Sequence, residues 1–307
     1  MRKTLLLAAI LFAGASHAQP VSKLRITILS TMVADRQGMG EWGFSALVEV
    51  DTTRILFDLG ANPNTVLNNA TALNVDLSGI RQVVLSHNHG DHTAGLAPLR
   101  QRYAGTSTGT ITYIAPGFFL REQVPVGLHK TDSLSYVAGG GRFINVDHPQ
   151  KIAPGVFLTG PVPRKYPETN YLPNKTLTTS AGTVEDNVPE DMSMVIQTPQ
   201  GLVLLMGCGH AGIINTLEYM QQQFPGEKVL AVIGGSHLID TKDKDLDWTA
   251  NKLKAAGIRY FVGAHCTGFN SVYRIREITG LPKTDCLVGT LGSKFDLEHG
   301  ITVGWLR

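Results

Sequence analysis

Apolar and polar positions alternate from Leu24 to Leu29, the period of a half-buried β-strand. Trp42 to Val50 and Arg54 to Phe57 continue the pattern around a turn at Asp51-Thr52-Thr53, so the chain is expected to open as a β-meander. Asn64 stands where a cap would start a helix running to about Leu73, and Ile80 to Ser86 reads as the next strand. Leu96 to Tyr103 reads as a helix with Pro98 in its first turn, followed by β-runs at Thr110 to Ala115, Gly141 to Val146 and Val156 to Thr159. Between Gly160 and Asp191 the pattern breaks: five of the fifteen prolines fall there, among Thr, Asn and charged residues. A segment of that length and composition predicts an irregular lid or insertion over 160–191. The regular pattern then resumes. Met192 to Thr198 and Leu202 to Met206 form a hairpin, Ile213 to Gln223 a helix, Val229 to Ile233 a strand, Asp245 to Ala256 a helix and Ile258 to Val262 a strand. Hairpins and helices therefore recur in both halves, and one domain is expected over 19–307.

Residues 1–18 stand apart. Arg2-Lys3, the apolar run Leu5 to Phe12 and the small-residue site Ser16-His17-Ala18 have the form of a signal peptide too short to span a bilayer, which predicts cleavage after Ala18 and export to a bacterial periplasm, with no membrane anchor afterwards. The full chain has 27 basic and 25 acidic residues; without Arg2 and Lys3 the counts are 25 and 25, a formally neutral chain with no basic block. Nucleic acid and anionic membranes are poor partners for such a surface, and a small molecule is the expected one. With 43% hydrophobic and 17% charged residues the chain can fill a globular core. Its cysteines, Cys208, Cys266 and Cys286, are odd in number and lack a C-x-x-C pair, so a disulfide framework is not expected. Nothing in the sequence bears on oligomeric state.

The densest chemistry lies directly after the strand Ile80 to Ser86, in His87-Asn88-His89-Gly90-Asp91-His92. A chain turning at Gly90 can bring His87, His89, Asp91 and His92 into one small volume. Imidazole and carboxylate suit Zn²⁺ and also admit iron or manganese, and four donors exceed the three that one open catalytic zinc needs. Two ions are therefore expected, with His87 and His89 on one and Asp91 and His92 on the other. Three later histidines, His210, His237 and His265, also follow predicted strands, at the edge where open α/β sheets bind ligands. His210 and His265 are candidate ligands. His237 could be a ligand, a substrate contact or a general acid. Cys208 stands where a bridging ligand could sit, although a buried cysteine also packs as a small hydrophobe. Asp58, which ends the strand Arg54 to Phe57, is costly to bury without a partner and is expected to orient the metal loop from behind. Arg164 and Lys165 are candidate contacts for an acidic group of the substrate; His129 and His148 read as surface or satisfied core residues.

The His87 to His92 run, with Leu56-Phe57-Asp58-Leu59-Gly60 before it and the two halves of hairpin plus helix, resembles the metallo-β-lactamase superfamily. The likeness implies an α/β fold, an αββα sandwich of two mixed β-sheets with helices on both outer faces. More narrowly, Glu41-Trp42-Gly43-Phe44-Ser45, Thr159 to Arg164, Gly207-Cys208-Gly209-His210-Ala211-Gly212, Gly234 to Leu238 and His265-Cys266-Thr267-Gly268 are similar to the branch containing the archaeal dihydropteroate-synthase-like enzymes of methanopterin synthesis. The chain departs from the superfamily where a histidine and a bridging Gly-Asp pair are usual: it has Gly207-Cys208 and no histidine between His148 and His210. His210 is taken as the replacement ligand. The implied activity is hydrolysis of a small ester, lactone, amide or phosphoester by a metal-bound hydroxide. His87, His89 and His210 would hold one ion and Asp91, His92 and His265 the other, with Asp91 accepting the water proton and His237 facing the leaving group. The alternatives are a synthase or transferase of that archaeal branch, an iron-dependent persulfide or thiol dioxygenase, and a non-catalytic metal-containing binding protein. A Ser-His-Asp hydrolase is not supported, because no G-x-S-x-G elbow is present.

Overall fold

The opening alternation folds into an antiparallel meander of β1 (Leu24–Ser30), β2 (Ser45–Val50) and β3 (Thr53–Phe57). This computed structural model describes residues 20–34, 36–120, 127–128, 130–171, 174–179 and 182–303. The expected leader over 1–18 and the expectation for His129 lie outside them. After β3 come α1 (Thr65–Ala72), β4 (Gln82–Val84), α2 (Gly90–Thr93), α3 (Leu96–Arg102), β5 (Ile111–Ile114), α4 (Lys130–Ala138) and β6 (Arg142–Asn145). β3, β4, β5 and β6 run parallel, so the helices between them pack back onto one face of the sheet. The second half supplies β7 (Gln150–Ala153), β8 (Val156–Leu158), β9 (Thr176–Thr179), β10 (Gly182–Glu185), β11 (Met194–Thr198), β12 (Gly201–Met206), α5 (Ile213–Gln223), β13 (Val229–Gly234), α6 (Asp243–Ala255) and β14 (Tyr260–Gly263). The chain continues with α7 (Phe269–Thr279), β15 (Cys286–Val288), β16 (Lys294–Asp296) and β17 (Gly300–Thr302).

Two mixed sheets result. One has the order β17-β16-β1-β2-β3-β4-β5-β6 and the other β15-β14-β13-β12-β11-β8-β7, with β9 and β10 paired apart from both. The side-chain period of two assigns their faces. In β12, Val203 and Leu205 enter the core between the sheets with Ile26, Phe57, Val84 and Ile233, while Leu202, Leu204 and Met206 pack against Ile213, Leu217, Leu246 and Leu253 of the outer helices. A strand buried on both faces has no polar side to alternate with, which is why this run is apolar throughout. On the other outer face Leu47, Leu56 and Val83 pack against Val66, Leu96 and Leu99. The arrangement is the expected αββα sandwich.

Several boundaries differ from expectation. β2 begins at Ser45, not Trp42, whose side chain is 48% exposed. Asn64 occupies the N-cap position of α1, yet its side chain makes no capping hydrogen bond. The 160–191 segment is not wholly irregular, because Thr176–Thr179 and Gly182–Glu185 pair as a hairpin.

Candidate metal centre

The strand ends of both sheets converge on one edge. β3 ends in Asp58, β4 in the loop that carries His87 to His92, β12 in Cys208 and His210, β13 in His237 and β14 in His265. The second sheet reaches this edge because β12, β13 and β14 are parallel, with Met206 opposite Gly234 and Gly234 opposite Gly263.

The histidines and Asp91 of the predicted ligand sets fall into two groups that meet at Cys208, which also stands with His237 and Cys266 in a third. The ring centroids of His87 and His89 are 4.6 Å apart, and His210 lies 4.7 Å from the first and 5.0 Å from the second. His87 Nε2 and His89 Nδ1 approach to 3.0 Å. In the other group the ligand atoms of Asp91, His92, Cys208 and His265 all lie within 4.8 Å of one another. Cys208 belongs to both groups, since its sulfur is also within that distance of His87 and His210 donors, and it stands 3.1 Å from His92 Nε2. These are separations that donors about 2.0–2.3 Å from a zinc ion can reach.

The buried polar atoms test whether a cation fits. Among the described residues His210 Nε2 and both ring nitrogens of His265 are buried without a hydrogen-bond partner. His265 Nε2 is 3.2 Å from Asp91 Oδ2 but outside hydrogen-bond geometry. Leaving such groups unpaired costs about 1–3 kcal/mol each, a cost that coordination removes. The residues present therefore fit a metal.

Surrounding groups aim the imidazoles. Asp58, fully buried, accepts hydrogen bonds from the Ser86 N–H at 2.7 Å, the Ser86 hydroxyl at 2.8 Å and His92 Nδ1 at 2.7 Å. The Ser86 hydroxyl proton is thus committed to Asp58, so its oxygen is left to accept from His87 Nδ1 at 2.9 Å. One carboxylate thereby fixes the Nδ1–H tautomer of two histidines and turns the Nε2 lone pair of each inward. His210 is set the same way, its Nδ1 donating to the Asn170 carbonyl at 2.5 Å. Burial, together with the neighbouring His89 and His237, lowers the His210 pKa and keeps the ring in the neutral form that a metal requires. For Asp91 burial works against ionisation, but His92, His265 and His89 overcome it and hold the carboxyl well below the usual range. His92 is the counterpart: against the effect of burial, Asp58 and Asp91 raise it to about 9, so at neutral pH a metal would bind its Nε2 in exchange for a proton.

Backbone strain concentrates here as well. Asp58, His237 and His265 adopt φ of 55°, 47° and 46°, a left-handed region costly for residues with a Cβ. His237 donates its backbone N–H to Cys266 Sγ at 3.2 Å, and its ring lies 4.6 Å from that of His210. The Sγ atoms of Cys208 and Cys266 are 3.3 Å apart, and all three cysteines are free.

Arg164 and Lys165 both have partners within the protein. Arg164 donates to the carbonyls of His210 (2.5 Å), Asn187 and Val188, and Lys165 pairs with Glu218. Arg164 thus fastens the lid to the backbone beside the centre, and Lys165, whose side chain is 60% exposed, ties the lid to α5. His148 is an exposed residue paired with Asp147 at 2.5 Å. Sequence reasoning missed Asn170 and Glu168. Asn170 orients His210, and Glu168 accepts the N–H groups of Ile214 and Asn215 at the start of α5. Their signal, polar residues in a proline-rich stretch, does not say which distant element they will meet.

Comparison with known proteins agrees with this geometry. Residues 43–170 match the family model of the metallo-beta-lactamase superfamily. The chain is 31% identical over 245 residues to the 7,8-dihydropterin-6-methyl-4-(beta-D-ribofuranosyl)-aminobenzene-5'-phosphate synthase of Methanocaldococcus jannaschii, covering 75% of this chain and 82% of that one. The structure of Tm1679, described as a metal-dependent hydrolase of the beta-lactamase superfamily, superposes with a TM-score of 0.72 at 25% identity, over 89% of this chain and 98% of that one. Zn(2+)-bound PqqB from Methylobacterium extorquens shares the fold, with a TM-score of 0.52 at 15% identity over 89% of this chain and all of the other (100%). Two sheets that meet at a histidine-rich edge, and a relative this similar over most of its length, make the chain a member of the metallo-β-lactamase superfamily.

Proposed function

We propose that this protein is a metal-dependent hydrolase of a small ester, lactone, amide or phosphoester, with two ions, zinc by preference, shared between His87, His89 and His210 on one side and Asp91, His92 and His265 on the other. The observation that carries the reading is the two donor groups meeting at Cys208, with buried nitrogens of His210 and His265 that have no hydrogen-bond partner. A bound ion pair supplies a Lewis acid for the substrate oxygen and a water acidified toward neutral pH. The protein's own residues do the rest. Asp58 and Asn170 hold the ligand rings in register; Asp91 would take a proton from the attacking water, and His237 would face the leaving group. Cys208 would stand where a bridging carboxylate is usual in the superfamily; burial and the neighbouring Cys266 favour its neutral thiol, and a bound zinc would draw it to the thiolate that such an ion prefers.

The second reading is a synthase, favoured by the name of the archaeal relative. Export weighs against it: if residues 1–18 direct the chain to the periplasm, a phosphorylated pterin precursor is not at hand. The test is turnover of a panel of aryl esters, lactones and phosphoesters by protein recovered from a periplasmic extract, whose first residue should be Gln19. Hydrolysis that a chelator abolishes and zinc restores is expected. Turnover of a pterin pyrophosphate with none of the panel would instead select the synthase.

A further inference from the structure

Beside the metal centre lies a cavity of about 580 Å³, enclosed by Tyr166 to Tyr171 of the lid and by residues between His237 and Thr249. Two of its wall residues touch the centre: Asn170, whose carbonyl holds His210, and His237, whose ring lies 4.6 Å from the His210 ring. Its walls carry three aromatic rings among polar and charged residues. Tyr166 and Trp248 meet edge to face, centroids 5.5 Å apart and planes inclined by 63°, so the two rings form a corner. Tyr171 adds a third ring, and the Lys252 ammonium stands 5.0 Å from the Tyr166 centroid and 5.7 Å from that of Trp248, flanking the corner. Thr241 lies on the same wall. The volume is that of a site for a small molecule, and inclined aromatic rings favour a flat partner that stacks on one and meets the edge of the other.

We infer that this cavity binds a planar aromatic group of the substrate, placed on the leaving-group side by His237. Only that last placement rests on the hydrolase reading. Arg164 and Lys165 have protein partners, and their cations stand 5.4 Å from the Tyr171 and Tyr166 centroids respectively, flanking the rings. Recognition of the ring falls to Tyr166, Trp248 and Tyr171.

The experiment is calorimetric titration of 2-naphthol, and of its saturated counterpart decahydro-2-naphthol, into the purified metal-loaded protein and two variants. Trp248→Ala removes one wall, and Thr241→Trp fills the space without deleting a core contact; Trp248→Phe is the conservative control. Naphthol is expected to bind wild type and Trp248→Phe, and to bind Trp248→Ala and Thr241→Trp about tenfold more weakly, with the saturated alcohol about tenfold weaker on wild type. Equal affinity for the two alcohols, wild-type affinity in both Trp248→Ala and Thr241→Trp, or no binding to wild type would overturn the inference. Naphthol binding should survive removal of the metals. Failure of all chelator-sensitive turnover with binding intact would therefore sink the hydrolase reading alone, and turnover without naphthol binding would sink the aromatic site alone.

Discussion

Asp58 shows how much of the centre depends on a residue that is not itself a ligand. Its three hydrogen bonds set both Ser86 and His92, and through Ser86 they set His87. Gly207 must lack a side chain for the same reason, since a Cβ there would fall 2.1 Å from Ser86 Oγ and 2.4 Å from Asp58 Oδ2. Changing Asp58 to Asn keeps the shape but offers an N–H where a lone pair is needed. Zinc affinity, measured by competition with a chelating dye, is expected to fall about 10–100-fold, the usual effect of losing such a support. Unchanged affinity would mean that the two histidines hold their orientation without it. Asp58 was legible in the sequence as an aspartate ending an apolar strand. Its left-handed backbone, shared with His237 and His265, was not, because no sequence pattern marks a non-glycine residue held at positive φ by its surroundings.

At the scale of elements, the lid and α5 are joined through Glu168. Its carboxyl caps the first turn of α5 by accepting from Ile214 and Asn215, a favourable place for negative charge. Burial outweighs these bonds and raises its pKa from 4.5 to about 7. The folded state therefore holds a proton that the unfolded chain releases between about pH 4.5 and about pH 7, so this group's contribution to stability falls as pH rises through that window. Glu168→Gln, which cannot ionise, should gain stability relative to wild type between about pH 5 and about pH 8, by on the order of 3 kcal/mol at most. Parallel urea unfolding curves at the two pH values check this, and an unchanged difference between the variants would contradict it. Elements with a strong period, such as β1 and α5, or a continuous apolar run, such as β12, could be read directly. The last forty residues could not. α7 places Phe269 and Tyr273 in solvent, which blurs its apolar face, and β15, β16 and β17 have three residues each. Such short strands exist because neighbours pair with them: β16 lies on β1 through Arg25 opposite Asp296, a tertiary contact with no local signal.

At the scale of the whole molecule, the sandwich turns separate strand ends into one site. The ligand candidates span from His87 to His265, and the supporting contacts reach further, as in the Thr31 hydroxyl that accepts the His265 N–H at 3.0 Å. The local cluster at His87 to His92 could be read because its donors are adjacent in sequence. His210 and His265 could be read as histidines after strands and assigned to separate ions with the family resemblance, while the parallel register of β12, β13 and β14 is what carries them to one edge. The centre's back wall, Asn170 and Arg164, depends on how the lid folds over the second sheet, which composition does not specify. The central claim is a pair of ions with one donor group each. It is tested most directly by elemental analysis of protein purified without chelator, for wild type and for His210→Ala and His265→Ala in parallel. About two zinc atoms per chain are expected, with about one lost in each variant. A single iron per chain, unaffected by one of the two substitutions, would contradict the two-ion account and point to dioxygenase chemistry.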